Sequence, residues 1–171
     1  MSDPAFAIRE ATPHDASALL TLKRALDSET SFMLVEPGER TTTAPELADE
    51  LRATAAQPNS VVLLAEGAAE LGGYVEATGG AFRRSRHTAY VVIGVLSAYA
   101  GQGLGRRLLE ELERWASANG VRRLELTVMA HNGRAIGLYR RLGYDVEGTR
   151  RGAVVVDGDV VDELWMAKLL S

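Results

Sequence analysis

Apolar positions along the chain follow two different periods, and their alternation predicts a string of short strands and amphipathic helices. Phe6-Ala7-Ile8-Arg9 reads as a short strand. Thr12-Pro13-His14-Asp15 opens a helix, because proline suits a first turn, where its missing N–H would have had no partner. Leu19, Leu20, Leu22 and Leu26 supply the apolar stripe of that helix. The stretch from Asp27 to Thr42 is irregular and holds a Pro37-Gly38 turn signal. A second helix starts at Thr43, with Glu46 three residues on to complete a capping box, and ends near Gln57-Pro58. Ser60–Glu66 and Leu71–Ala77 are β-rich and separated by Gly67, which predicts an antiparallel hairpin.

Gly79-Gly80 and the basic run Arg83-Arg84-Ser85-Arg86-His87 form a loop. Tyr90-Val91-Val92-Ile93-Gly94-Val95 is almost continuously apolar, as expected of a central strand covered on both faces. A glycine-rich turn leads from it into a helix with Leu104, Leu108, Leu112, Trp115 and Ala116 on one face. The other face carries Arg106, Arg107, Glu110, Glu111 and Arg114, spaced for the pairs Arg107–Glu111 and Glu110–Arg114. Asn119-Gly120 stops this helix, and Leu124–Val128 is the next strand. Asn132 caps a short helix ending at Gly143. Tyr144–Val156 and Val160–Lys168 then form a terminal hairpin through Asp157-Gly158. The order β-α-α-β-β-β-α-β-α-β-β predicts a mixed α/β fold. No linker divides it, so a single domain over 1–171 is expected, with its core at about 6–170.

Composition narrows the function. The 171 residues are 46% hydrophobic and 25% charged, a globular balance. The net charge of −4 gives no global basic field for nucleic acid. The absence of cysteine excludes disulfides, thiolate metal sites and a cysteine nucleophile. His14, His87 and His131 show no ligand spacing, and Asp157-Gly158-Asp159 fits a turn better than a calcium loop, so no metal is expected. No apolar run reaches the ~18 residues of a membrane span. Met1-Ser2-Asp3-Pro4 has neither a basic start nor an apolar signal core, and a cytoplasmic protein with no membrane partner is expected.

The most informative segment is Ala100-Gly101-Gln102-Gly103-Leu104-Gly105-Arg106, between a buried strand and a helix. Its glycines permit a sharp turn and a close ligand, and the helix start offers free N–H groups to a phosphate. A dinucleotide fingerprint would need glycine at Arg106, and a Walker loop would need Gly-Lys-Ser/Thr where Arg106-Arg107 stand. Both nucleotide readings fail. A tight strand-to-helix connection without a ligand remains open on spacing alone.

Gly101-Gln102-Gly103-Leu104-Gly105-Arg106 with Leu108-Leu109 resembles the acyl-CoA pyrophosphate loop of the GNAT N-acetyltransferase superfamily. Asn132-Gly133-Arg134-Ala135-Ile136-Gly137-Leu138-Tyr139 and Leu142-Gly143-Tyr144 resemble its second cofactor motif. Asp157-Gly158, Asp162 and Met166 are similarly placed in many bacterial members. The resemblance covers Tyr90–Leu170 and is closest to bacterial members acting on amino acids or small amines. It implies a central mixed sheet with two splayed parallel strands, flanked by about four helices. Acetyl-CoA is the implied acetyl donor, held at Ile93, Gly94 and Val95, at Gly101–Arg106, and at Asn132 and Tyr139. A homodimer is also common in the superfamily. One departure is Ala100, where the family usually has Arg or Gln, which implies weakened phosphate binding.

The same resemblance makes Tyr139 the donor of a proton or hydrogen bond to the thioester sulfur; an ordinary phenol, with pKa about 10, stays protonated at neutral pH. Asn132, two helical turns earlier, lies on the same side. A core aromatic and a simple helix cap are the bland readings of these two residues. The superfamily's glutamate position is occupied by Thr127, which cannot act as a base. His87, Glu125 and Glu76 are the candidate bases, each equally readable as a surface residue. Lacking an obvious base favours an α-amine with pKa near 8 over a lysine near 10.4. An N–H at or beside Val95 is the implied oxyanion donor. Arg40 and Arg86 are candidates for an acceptor carboxylate, Arg40 in the irregular stretch and Arg86 in the basic loop. Three readings stand: a small-molecule or amino-acid acetyltransferase, an acetyltransferase of protein N-termini or lysines, and a non-catalytic acyl-CoA-binding module.

Overall fold

A computed structural model describes residues 6–171; Met1–Pro4, read above for a leader, lie outside the described residues. Seven strands and four α-helices follow one another in the predicted order. They are β1 (Ala7–Glu10), α1 (Ala16–Glu29), α2 (Ala44–Ala55), β2 (Val61–Glu66), β3 (Leu71–Gly79) and β4 (Thr88–Val95). After these come α3 (Leu104–Ala118), β5 (Arg123–Met129), α4 (Gly133–Arg141), β6 (Asp145–Val156) and β7 (Asp159–Leu169). The strands form one sheet in the order β1-β2-β3-β4-β5-β7-β6. Every pairing is antiparallel except β4 with β5.

Each face of the sheet buries its own apolar cluster. Leu104, Leu108, Leu109 and Leu112 of α3 pack with Ile136 and Tyr139 of α4 on Val75, Val91, Leu124, Leu126 and Met166. Leu19, Leu22 and Leu26 of α1 and Leu47 and Leu51 of α2 cover Val62, Leu64 and Tyr74 on the other face. Full burial of each such leucine contributes about 1.5–3 kcal/mol. Truncating Leu108, which is inaccessible to solvent, would cost about 2–5 kcal/mol by adding a cavity to that loss.

Local signals set the ends of the elements. The Thr43 hydroxyl accepts from Glu46 N–H while the Glu46 carboxylate accepts from Thr43 N–H, closing the capping box at α2. Asp157 and Gly158, both at positive φ, turn the terminal hairpin. Two expectations need correction. Pro13–Asp15 form one 3-10 turn before α1, because Asp15 folds back on Thr12 N–H and on Arg9. On α3 the ion pairs are Arg106–Glu110 and Arg114–Glu111, in place of Arg107–Glu111 and Glu110–Arg114. Arg107 instead donates to the Phe6 carbonyl at 2.7 Å and ties α3 to the start of β1.

Candidate functional site

The site begins where the two parallel strands part. β4 and β5 pair only at Thr88–Arg123, Ala89–Leu124 and Tyr90–Glu125, although both strands continue. Leu96 N–H donates to Gly72 and the Thr88 carbonyl accepts from Gly80 N–H, so even-numbered residues of β4 pair with β3. The main-chain groups of Val91, Ile93 and Val95 therefore face β5; Val91 N–H closes the last rung, and Ile93 and Val95 lie beyond it. A fork results, lined on one side by unpaired backbone. At its apex the Tyr90 and Thr127 hydroxyls lie 2.7 Å apart.

The glycine-rich turn stands at the open end of the fork. Gly101 and Gly103 take left-handed φ values of 77° and 83°, which L side chains rarely adopt. Gly103 is the N-cap of α3 and no side chain caps that helix, whose first turn holds no acidic residue. Its first N–H groups thus lack intrahelical partners and carry the positive end of the helix dipole. The Gln102 amide donates back to the Ala98 carbonyl and stiffens the turn. These features fit a diphosphate bound by main-chain amides.

Across the fork, Asn132 caps α4 by accepting from Ala135 N–H at 3.2 Å. Tyr139 is buried on this helix, its ring 5.8 Å from that of Tyr144. Burial pushes its phenol pKa up, with the nearby Tyr90 adding to the effect, so the hydroxyl keeps its proton throughout the neutral range. Arg134, in the first turn of α4, reaches the glycine turn: a Cβ at Gly101 would lie 2.9 Å from its Nη2. Sequence reasoning did not single out Arg134. Its only local signal was a cation at a helix N-terminus, where cations are disfavoured.

The remaining sequence candidates separate. His87 and Arg86 are exposed beside the N-terminal end of β4, an eight-residue strand, so they stand roughly 25 Å from the glycine turn. Both lie before the rungs that join β4 to β5, with His87 three residues from Tyr90 at the closed end of the fork. Glu125 lies at the last rung of the fork, and its carboxylate accepts from Arg123 Nε at 2.8 Å. Glu76 accepts from Lys23 Nζ at 2.9 Å, under α1. Arg40 forks onto Asp27 at 2.7 and 2.8 Å, and Asp27 is 3% exposed. This corrects its reading as a free carboxylate clamp: the pair instead anchors the 30–43 loop to α1. Phe32 of that loop meets His131, which precedes α4, with ring centroids 5.1 Å apart and planes tilted by 47°. Among the described residues, no helix is long and apolar enough to cross a membrane.

The sequence model of the Acetyltransferase (GNAT) family matches residues 24–144. The L-amino acid N-acetyltransferase AaaT of Escherichia coli is 32% identical over 90 residues, 50% of this chain and 54% of that protein. The N-alpha-acetyltransferase RimI of Mycobacterium tuberculosis is 44% identical over 66 residues, 39% of this chain and 40% of that protein. The chain spans about half the length, or less, of these curated relatives. A GNAT family acetyltransferase of Streptococcus pneumoniae superposes with a TM-score of 0.94 at 33% identity, over 98% of this chain and 100% of that one. The fold is also that of yncA from Salmonella typhimurium, solved with acetyl-CoA, with a TM-score of 0.86 at 24% identity over 98% and 95% of the two chains.

Proposed function

Because the chain belongs to the acetyltransferase (GNAT) family, we propose that it transfers an acetyl group from acetyl-CoA to the primary amine of an amino acid or another small molecule, both substrates being bound together. Acetyl-CoA supplies a thioester, an acyl group already activated toward amines. The observation that carries the reading is the fork itself: unpaired main chain at Ile93 and Val95, opening onto a left-handed glycine turn at an uncapped helix start.

In this reading the amides of Gly101, Gln102, Gly103, Leu104 and Gly105 and the side of Arg106 hold the diphosphate. Ile93 to Val95 bind the pantetheine arm along the free edge of β4, and an N–H at Val95 polarises the acyl oxygen. Asn132 fixes the start of α4 and so the position of Tyr139. The Tyr139 hydroxyl holds the proton needed by the departing sulfur, and its burial keeps that proton in place at working pH.

Among the sequence candidates for a base, Glu125 and Glu76 are ion-paired and His87 is exposed beside the N-terminal end of β4. An amine that is already partly neutral needs least help. An α-amine with pKa near 8 is about a tenth neutral at pH 7, which supports an amino-acid acceptor over a lysine side chain. The name of the Escherichia coli relative, an L-amino acid acetyltransferase, points the same way. The stretch shared with RimI, an N-alpha-acetyltransferase, supports a second reading in which the α-amine belongs to a protein N-terminus.

Thiol release from acetyl-CoA across a panel of amino acids, small amines and N-terminal peptides tests both. Turnover with free amino acids supports the first reading; turnover confined to peptides replaces it with the second. Binding of coenzyme A with no turnover on any amine would leave only an acyl-CoA-binding module.

A further inference from the structure

On the side of the sheet that α1 and α2 cover, the apolar cluster stops at β4 and includes no residue of β5, β6 or β7. Thr127 and Met129 of β5 face this side, alternating with Leu126 and Val128, which pack in the α3 cluster. Register sets Trp165 beside Thr127, Glu163 beside Met129, and Arg150 of β6 beside Glu163. The offset of the β4–β5 rungs, carried past Tyr90, brings Met129 level with Gly94. Glu163 is therefore level with the free edge of β4 at Ile93 and Val95.

Glu163 is only 8% exposed, and its charge is met at a single point: Arg150 Nη1 donates to Oε2 at 2.5 Å. Arg9–Asp15, Arg40–Asp27 and Arg123–Glu147 by contrast engage both carboxylate oxygens. Among the described residues nothing donates to Glu163 Oε1. It is open to solvent, because the sealed unpaired oxygens are Glu113 Oε1 and the Tyr144 hydroxyl. The Arg150 side chain is half exposed, and its Nε and Nη2 are likewise without a partner among the described residues. The register shifts just after Arg150, where Gly152 takes a φ of 58° and donates its N–H to Asp162 at 2.8 Å. Such a bulge re-aims a neighbouring side chain. The pair thus sets an unmet acceptor beside unmet donors. An α-amino acid carries the complement, a nitrogen donor and a carboxylate on one carbon.

We propose that Arg150 and Glu163 select a free α-amino acid as acceptor: the unused N–H groups of Arg150 take its α-carboxylate, and Glu163 Oε1 accepts an N–H of its α-nitrogen. Asp162 is a positioning residue that holds the bulge. This rests on the acetyl transfer proposed above and separates a free amino acid from a protein N-terminus, whose α-carbon carries an uncharged amide.

Thiol release from acetyl-CoA with each common L-amino acid and with its α-amide tests the assignment on wild type, Arg150→Gln, Arg150→Lys, Glu163→Gln and Arg151→Gln. The readout is the acid-to-amide ratio of kcat/KM, variant over wild type, in which the intrinsic reactivities of the acceptors cancel. Arg150→Gln should lower that ratio about tenfold or more, as loss of a charge-assisted hydrogen bond does, through KM for the acid and with KM for acetyl-CoA unmoved. Arg150→Lys, keeping charge but not the planar fork, should fall between. Glu163→Gln should raise KM for acid and amide alike. Arg151→Gln removes the exposed neighbouring charge and should leave the ratio within about twofold. Any loss of stability from leaving Glu163 unpaired affects both acceptors equally and does not move the ratio. An unchanged ratio in Arg150→Gln would overturn the proposal, as would an equal fall in Arg151→Gln, or wild type acting on amides but on no free amino acid. Wild type inert toward every amine would instead defeat the acetyl-transfer reading.

Discussion

Tyr90 and Thr127 join β4 to β5 by a 2.7 Å hydrogen bond between their hydroxyls, at the point where the backbone ladder between the two strands ends. A side-chain bond thus follows the last main-chain rung between the two strands. Tyr90→Phe and Thr127→Val should each lower stability by about 0.5–1.5 kcal/mol, and the double variant should cost less than their sum. Denaturant titration of the four proteins measures the coupling. Strict additivity would show that the two hydroxyls act independently.

Tyr139→Phe removes one oxygen from a buried ring and leaves its packing on Tyr144. If Tyr139 supplies the proton, kcat should fall about 10²-fold while coenzyme A affinity changes little. Since burial raises the phenol pKa, wild-type kcat should show no descending limb from this group up to pH 10. Equal kcat in the two proteins would remove Tyr139 from the reaction.

Asp27 is almost fully buried and its charge is met by Arg40 across the 30–43 loop. Asp27→Asn keeps the shape but leaves the guanidinium without its anion, which should cost about 3 kcal/mol and loosen the loop that carries Phe32. Thermal unfolding measures the first effect. The KM for the acceptor, rising more than that for acetyl-CoA, measures the second.

Acid stability should report on Asp15. The Arg9 guanidinium, bonded to both its oxygens, holds this carboxyl down to about 2, helped by Thr12 N–H. A depressed folded-state pKa means the stabilisation is fully present above the unfolded value of about 3.9 and disappears as pH falls through about 2. Asp15→Asn should be less stable than wild type at pH 7, with the gap closing between pH 4 and pH 2. A gap independent of pH would show that the pair contributes through packing alone.

The order of elements was readable from the chain because each carries its own punctuation: Thr43 with Glu46, Asn119-Gly120, Asn132, and Asp157-Gly158. The glycine turn was readable for the same reason, since backbone geometry there is written in residue type. Side-chain partners were less so. Arg40 looked like a free clamp because Asp27, 13 residues earlier, becomes its partner only when the loop folds back on α1. His87 and Arg86 adjoin β4 in sequence, but a strand is long, and its two ends serve different parts of the molecule. Arg134 shows the opposite failure: it is 33 positions from Gly101 and meets it only through the packing of α4 beside α3.

The parting of β4 from β5 also divides a single strand into two populations of amide. Val92 and Gly94 are locked to β3, whereas Ile93 and Val95, alternating with them past the last rung at Val91, have no strand to bind. Deuterium uptake from Val92 to Val95 should therefore run slow and fast in turn, and the fast half should become slow once an extended ligand occupies the gap. The molecule thus carries, at every other residue of one strand, its own gauge of occupancy.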